Sequence, residues 1–70
     1  MIERVYDFIV DFALEKGYLP TFREIGKGVG LKSSSSVAYY MNKLVCDRRI
    51  EPVDGLSRYV VKGLRYRYDS

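Results

Sequence analysis

Residues 21–44 read TFREIGKGVGLKSSSSVAYYMNKL, and two helices joined by a tight turn can be read from them directly. Thr21-Phe22-Arg23-Glu24 has the form of a capping box. The threonine hydroxyl accepts from the backbone N–H of Glu24, and the Glu24 carboxylate reaches back to the Thr21 N–H. A short helix then runs through Ile25 to about Val29, with Phe22, Ile25 and Val29 as its apolar side. Gly26 and Gly28 inside it each cost about 1 kcal/mol relative to alanine, so this helix must be held by packing. A small residue at Gly26 suits the close approach of another helix backbone, whereas no reason for Gly28 follows from the sequence. Gly30-Leu31-Lys32 reads as a tight turn, with glycine free to take positive φ and leucine pinning the turn to the core. The serine run 33–36 resembles a flexible linker until its continuation is considered. Val37, Tyr40, Met41 and Leu44 follow an inward helical spacing, and serine is a preferred N-cap. A further helix is therefore expected from about Ser34 to Asp47, capped by Ser33.

Outward from this stretch the pattern stays regular. On the N-terminal side, Ile2, Val5, Tyr6, Ile9, Phe12 and Ala13 mark the buried stripe of a helix over residues 2–16, with Glu3, Arg4, Asp7, Asp11 and Glu15 opposite. Gly17 closes it as a left-handed cap, and Pro20 lies just beyond. Phe8, Val10 and Leu14 fall outside that stripe and make the apolar surface wider than one small core requires. On the C-terminal side the period changes after Arg48-Arg49. Ile50-Glu51-Pro52-Val53 and Arg58-Tyr59-Val60-Val61 are short β-prone runs around Asp54-Gly55-Leu56-Ser57, a strong hairpin signal. Pro52 cannot donate to a ladder and marks an edge strand. The expected fold is mainly α with a small β-hairpin: a winged helix-turn-helix of three helices and a two-stranded wing over residues 1–64, with residues 65–70 as a basic, frayed tail.

Composition narrows the function. Seventy residues allow one domain, and the 47% hydrophobic and 30% charged fractions are those of a folded chain. No apolar run approaches the roughly 18–20 residues of a membrane span, and the N-terminus has no secretory pattern. With no histidine and one cysteine, the sequence lacks Ser-His and Cys-His pairs and any good cage for a transition metal. No enzyme activity, cofactor, metal or small-molecule ligand is expected, and a lone thiol suits a reducing, cytoplasmic setting. Cys46 is read as a small filler. The net charge is +3 overall, but residues 1–20 carry −2 and residues 21–70 carry +5. Such a division suits a protein that turns one face to phosphate, and equally an ordinary solvated surface.

The outward face of the last helix points to the partner. Opposite Val37, Met41 and Leu44 lie Ser35, Ser36, Tyr39, Asn42 and Lys43, with Ala38 at the edge. Short hydrogen-bonding groups at the start and larger polar ones beyond suit a helix entering the major groove of double-stranded DNA by its N-terminus. Ser35, Ser36, Ala38 and Tyr39 are the expected base-contacting residues. Lys32, Ser33, Asn42, Lys43 and Arg58 are the expected backbone-contacting ones, aided by the positive end of the helix dipole. Each of these residues singly is also what a solvated helix or strand would carry; their grouping on one face is what favours DNA. Arg65, Tyr66, Arg67 and Tyr68 alternate in a run too short to be specific.

At this point residues 5–61 resemble the N-terminal DNA-binding domain of the LexA repressor family. The stretches that carry the resemblance are Val5-Tyr6-Asp7-Phe8-Ile9, Gly17-Tyr18-Leu19-Pro20-Thr21, Glu24-Ile25, Gly30-Leu31-Lys32-Ser33, Ile50-Glu51-Pro52-Val53 and Gly55-Leu56-Ser57-Arg58. The resemblance implies a transcriptional regulator, a repressor in that family, that binds a palindromic operator as a dimer. It implies that positions Ser33, Ser35, Ser36, Ala38 and Tyr39 face the DNA. Ala38 and Tyr39 depart from a LexA repressor of that family that has glutamates there, and Ser34 stands where the same repressor has a helix-starting proline. LexA repressors also carry a self-cleaving serine protease domain that dimerises them. These 70 residues hold no such Ser-Lys apparatus, so the resemblance extends to DNA binding and not to self-cleavage. The sequence is read either as a fragment of a longer repressor or as a protein standing alone. In the second case a homodimer would form on DNA or through Phe8, Val10 and Leu14, unless these merely cover the edge of the core. The competing reading is a winged helix used as a protein-interaction or assembly module. It explains the wide apolar first helix, but not the serine-rich start of the last one.

Overall fold

Local rules set the helix ends. The structure, a computed structural model, describes residues 1–53 and 58–63. Its elements are α1 (Ile2–Lys16), α2 (Phe22–Val29), α3 (Ser34–Cys46), β1 (Ile50–Val53) and β2 (Arg58–Val61). Both halves of the capping box at α2 are made: Thr21 N–H donates to Glu24 Oε1 at 2.8 Å, and Glu24 N–H donates to Thr21 Oγ1 at 3.2 Å. Gly17 and Gly30, both left-handed, end α1 and α2. Ser33 caps α3, its hydroxyl accepting from Ser35 N–H at 3.0 Å. Asp47 falls just outside α3 as its C-cap rather than inside the helix. The strands pair antiparallel, Ile50 with Val61 through Val53 with Arg58. The expected Asp-Gly turn and the tail 65–70 lie outside the described residues.

The core joins all five elements: Val5 and Ile9 of α1, Ile25 and Val29 of α2, Val37, Met41 and Leu44 of α3, and Ile50, Tyr59 and Val61 of the hairpin. Tyr59 fixes the hairpin to the helices, because its hydroxyl donates to the Pro20 carbonyl at 2.7 Å in a buried bond. At the opposite end, Arg49 forks onto both carboxylate oxygens of Glu3 at 3.0 Å and lies over the Tyr6 ring. Hydrogen bonding to Arg49, then its charge, holds the Glu3 carboxyl below its ordinary pKa. A depressed carboxylate pKa stabilises the fold above the ordinary glutamate value, and that contribution fades as pH falls through the folded one. The pair is solvent-accessible, so its contribution is small.

The inward line of α1 is narrower than its apolar pattern suggests. Val5, Ile9 and Ala13 are buried, while Ile2, Tyr6 and Phe12 are half-buried. Phe12 sits instead in an aromatic row between Phe8 and Tyr18, at centroid distances of 5.8 and 5.4 Å. Phe8 and Val10, outside the expected stripe, cover the edge of the core, the alternative to a dimer contact. Leu14 alone of the three stays exposed, at 59%.

Phe8 also explains Gly28. A methyl group built at Gly28 would overlap the Phe8 ring, so α1 and α2 approach through a ring laid on bare backbone. Gly26 is close-packed in another way, with the Leu31 carbonyl and a Val37 methyl 3.2 and 3.4 Å from where its Cβ would be. Gly28→Ala should gain about 1 kcal/mol in helix propensity and lose at least that by displacing the ring. In a Phe8→Ala background only the gain remains. Urea unfolding of the double-mutant cycle should give a coupling of about 1 kcal/mol or more; strictly additive effects would remove Phe8 from this role.

Candidate nucleic-acid interface

The surface of α3 is set by what its other side must do. Val37, Met41 and Leu44 are buried, and the helical period then turns Ser35, Tyr39, Asn42 and Lys43 outward, where all four are exposed. Ser36 and Ala38 flank that line and are half-buried. Of the four expected base-contacting residues, Ser35 and Tyr39 are thus open, and Ser36 and Ala38 are reached only from the side. Tyr40, expected inward, is half-buried and packs on the core edge.

The Tyr39 ring does not hang free. It meets Tyr40 edge-on at 5.2 Å, and the Lys43 ammonium lies over it at 5.2 Å from the centroid. These contacts narrow the rotamers of an otherwise exposed ring (55%), so less side-chain entropy is lost when it meets a partner.

At the start of α3, Lys32, Ser33, Ser34 and Ser35 are exposed, and the cap leaves the positive end of the helix dipole at the surface. Two basic residues not singled out from the sequence join them. Arg23 and Lys27 of α2 line one shallow depression with Lys32, Ser33 and Ser34, floored by Phe22, Gly26, Leu31 and Val37. Their i, i+4 spacing opposite Ile25 and Val29 was a visible signal that they share a face. What the spacing could not show is that this face runs on into the start of α3. Arg58, at the first position of β2 and paired with Val53, is exposed. Ser57 lies outside the described residues. Cys46 is exposed with a free thiol, not a filler. The acidic side chains of α1, at Glu3, Asp7, Asp11 and Glu15, are exposed too.

This arrangement, two capped helices about a glycine turn followed by a hairpin, has a counterpart among known proteins. A family model, the LexA DNA binding domain, matches residues 3–59. The chain belongs to the LexA DNA-binding domain family.

The relatives agree. The LexA repressor of Clostridium novyi is 55% identical over 40 residues, covering 57% of this chain and 20% of that protein. The LexA repressor of Lacticaseibacillus casei is 53% identical over 45 residues, covering 64% of this chain and 20% of its own. The chain therefore spans about a fifth of the length of the curated relatives it matches. The LexA family match runs from the first turn of α1 to Tyr59, so it includes the helix-turn-helix, all of β1 and the first two residues of β2. What the family model describes is DNA binding, not catalysis. No helix among the described residues is long and apolar enough to cross a membrane.

Proposed function

We propose that this chain reads a specific double-stranded DNA sequence with α3 and represses transcription from it, in the cytoplasm where the DNA lies. The observation that carries this reading is the outer face of α3. Exposed Ser35, Tyr39, Asn42 and Lys43 stand on a helix with no acidic residue between Ser34 and Cys46, whose other side is anchored in the core by Val37, Met41 and Leu44. In the family's mode of docking, Ser35, Ser36, Ala38 and Tyr39 meet base edges. Lys32, Ser33, Asn42, Lys43 and, from the hairpin, Arg58 meet phosphates, and Arg23 and Lys27 add to the phosphate contact at the start of α3.

The test separates the two kinds of contact. Tyr39→Ala should change which duplexes are enriched from a random library. Arg58→Ala should weaken every duplex alike and reduce the slope of log K against log salt by about one unit. Equal losses on all sequences from both variants would reject the division of labour. Passage of the unaltered chain through nonspecific duplex at low salt without retention would favour the interaction-module reading instead.

For self-association, Leu14 is the exposed member of the three apolar residues outside the α1 stripe, and a dimer formed off DNA would use it. Leu14→Glu should then lower the sedimentation coefficient at high protein concentration while leaving the melting temperature within a few degrees. An unchanged coefficient would reject a dimer through Leu14.

A further inference from the structure

From Ser34 to Cys46, α3 contains no arginine, aspartate or glutamate. Those are groups that read G·C pairs in the major groove: an arginine fork meets guanine O6 and N7, and a carboxylate accepts from the cytosine amino group. Lysine also reads guanine, but the α3 lysine, Lys43, holds its ammonium over the Tyr39 ring, where the ring quadrupole attracts it. Reaching a base would break that contact. Ser35 and Ser36 do not discriminate, since a hydroxyl bonds to any base edge.

What the face offers in place of those groups is apolar and aromatic. Half-buried Ala38 precedes Tyr39 in the helix, and the Tyr39 ring is exposed yet held by Tyr40 and Lys43. An apolar group entering the major groove finds one apolar partner among the base edges, the C5-methyl of thymine. Asn42, three residues beyond Tyr39 on the same face, is placed on phosphate and adds no group that reads G·C pairs. Resting on the DNA-binding reading above, we infer that the half-site under α3 is dominated by A·T pairs and that the Tyr39 ring packs on a thymine methyl. Tyr39 is thereby a specificity-determining residue, acting through its ring and not its hydroxyl.

The experiment is duplex selection from a random library with the unaltered chain, Tyr39→Ala and Tyr39→Phe, after matched thermal melts show all three folded. The unaltered chain should enrich half-sites made mostly of A·T pairs, and Tyr39→Ala should lose selection at one thymine. Deoxyuridine at that thymine removes only the methyl. It should weaken binding about fourfold for the unaltered chain and for Tyr39→Phe, the effect of one buried methyl, and leave Tyr39→Ala unaffected. A half-site dominated by G·C pairs overturns the inference while leaving DNA recognition standing. So does a uridine penalty that persists in Tyr39→Ala or disappears in Tyr39→Phe. Enrichment of no duplex by any of the three overturns the DNA-binding reading and this inference together.

Discussion

Ile9→Ala should lower the unfolding free energy by about 3 kcal/mol, within the range of 2–5 for deletion of a buried isoleucine side chain. Ile9 has no exposed surface and stands at the middle of α1, the helix that packs on both α2 and α3. A cavity there loosens the contacts that orient α3 against the rest of the domain. Small domains have little to lose: at roughly 0.05–0.15 kcal/mol per residue, a chain of this length is stable by about 4–10 kcal/mol. Each kcal/mol corresponds to about 4–8 °C in Tm at this size, so the variant should melt at least 10 °C lower, as followed by circular dichroism. A drop of less than 3 °C would mean that α1 is not an integral wall of the core.

Ser35→Glu should have the opposite profile, leaving the fold intact and removing DNA binding. The backbone N–H of Ser35 already donates to the Ser33 cap, and its side chain is exposed in the first turn of α3. A carboxylate there meets the positive end of the helix dipole and stabilises the helix by about 0.3–1 kcal/mol. Facing a DNA groove, the same charge is set against phosphates and base acceptors, a juxtaposition that costs several kcal/mol. At 1.4 kcal/mol per tenfold, affinity for the selected duplex should fall about a hundredfold, while Tm stays level or rises. Fluorescence titration and thermal melts read the two effects separately. A variant that melts higher and binds as before would place the start of α3 outside the interface.

The candidate site was legible in part because a helix with one buried line has its opposite line fixed. Val37, Met41 and Leu44 inside require Ser35, Tyr39, Asn42 and Lys43 outside, and residues at the flanks, Ser36 and Ala38, come out half-buried. The period says nothing of what stands beside that face. Arg23 and Lys27 were visible as an exposed pair on α2, but their place next to Lys32 and Ser33 depends on how two helices cross. The Lys43–Tyr39–Tyr40 stack is likewise a choice among rotamers that only the packed helix makes.

The sequence by itself determined the elements and their ends. Capping boxes, serine caps, glycine C-caps and the change from a 3.6- to a 2-residue period act over three or four residues, within reach of the local chain. Thr21 with Glu24, Ser33 with Ser35, and Gly17 and Gly30 all stand as those rules require. The tertiary structure alone decided the pairs that lie far apart along the chain: Phe8 laid on Gly28, Tyr59 bonded to Pro20, and Arg49 forked onto Glu3. It also decided that of the three apolar residues outside the α1 stripe, Phe8 and Val10 serve the core while Leu14 faces solvent. The reason is geometric. Periodicity gives the direction of each side chain about its own axis, whereas contacts between elements depend on crossing angle and separation, which are settled only when all the apolar surfaces pack together.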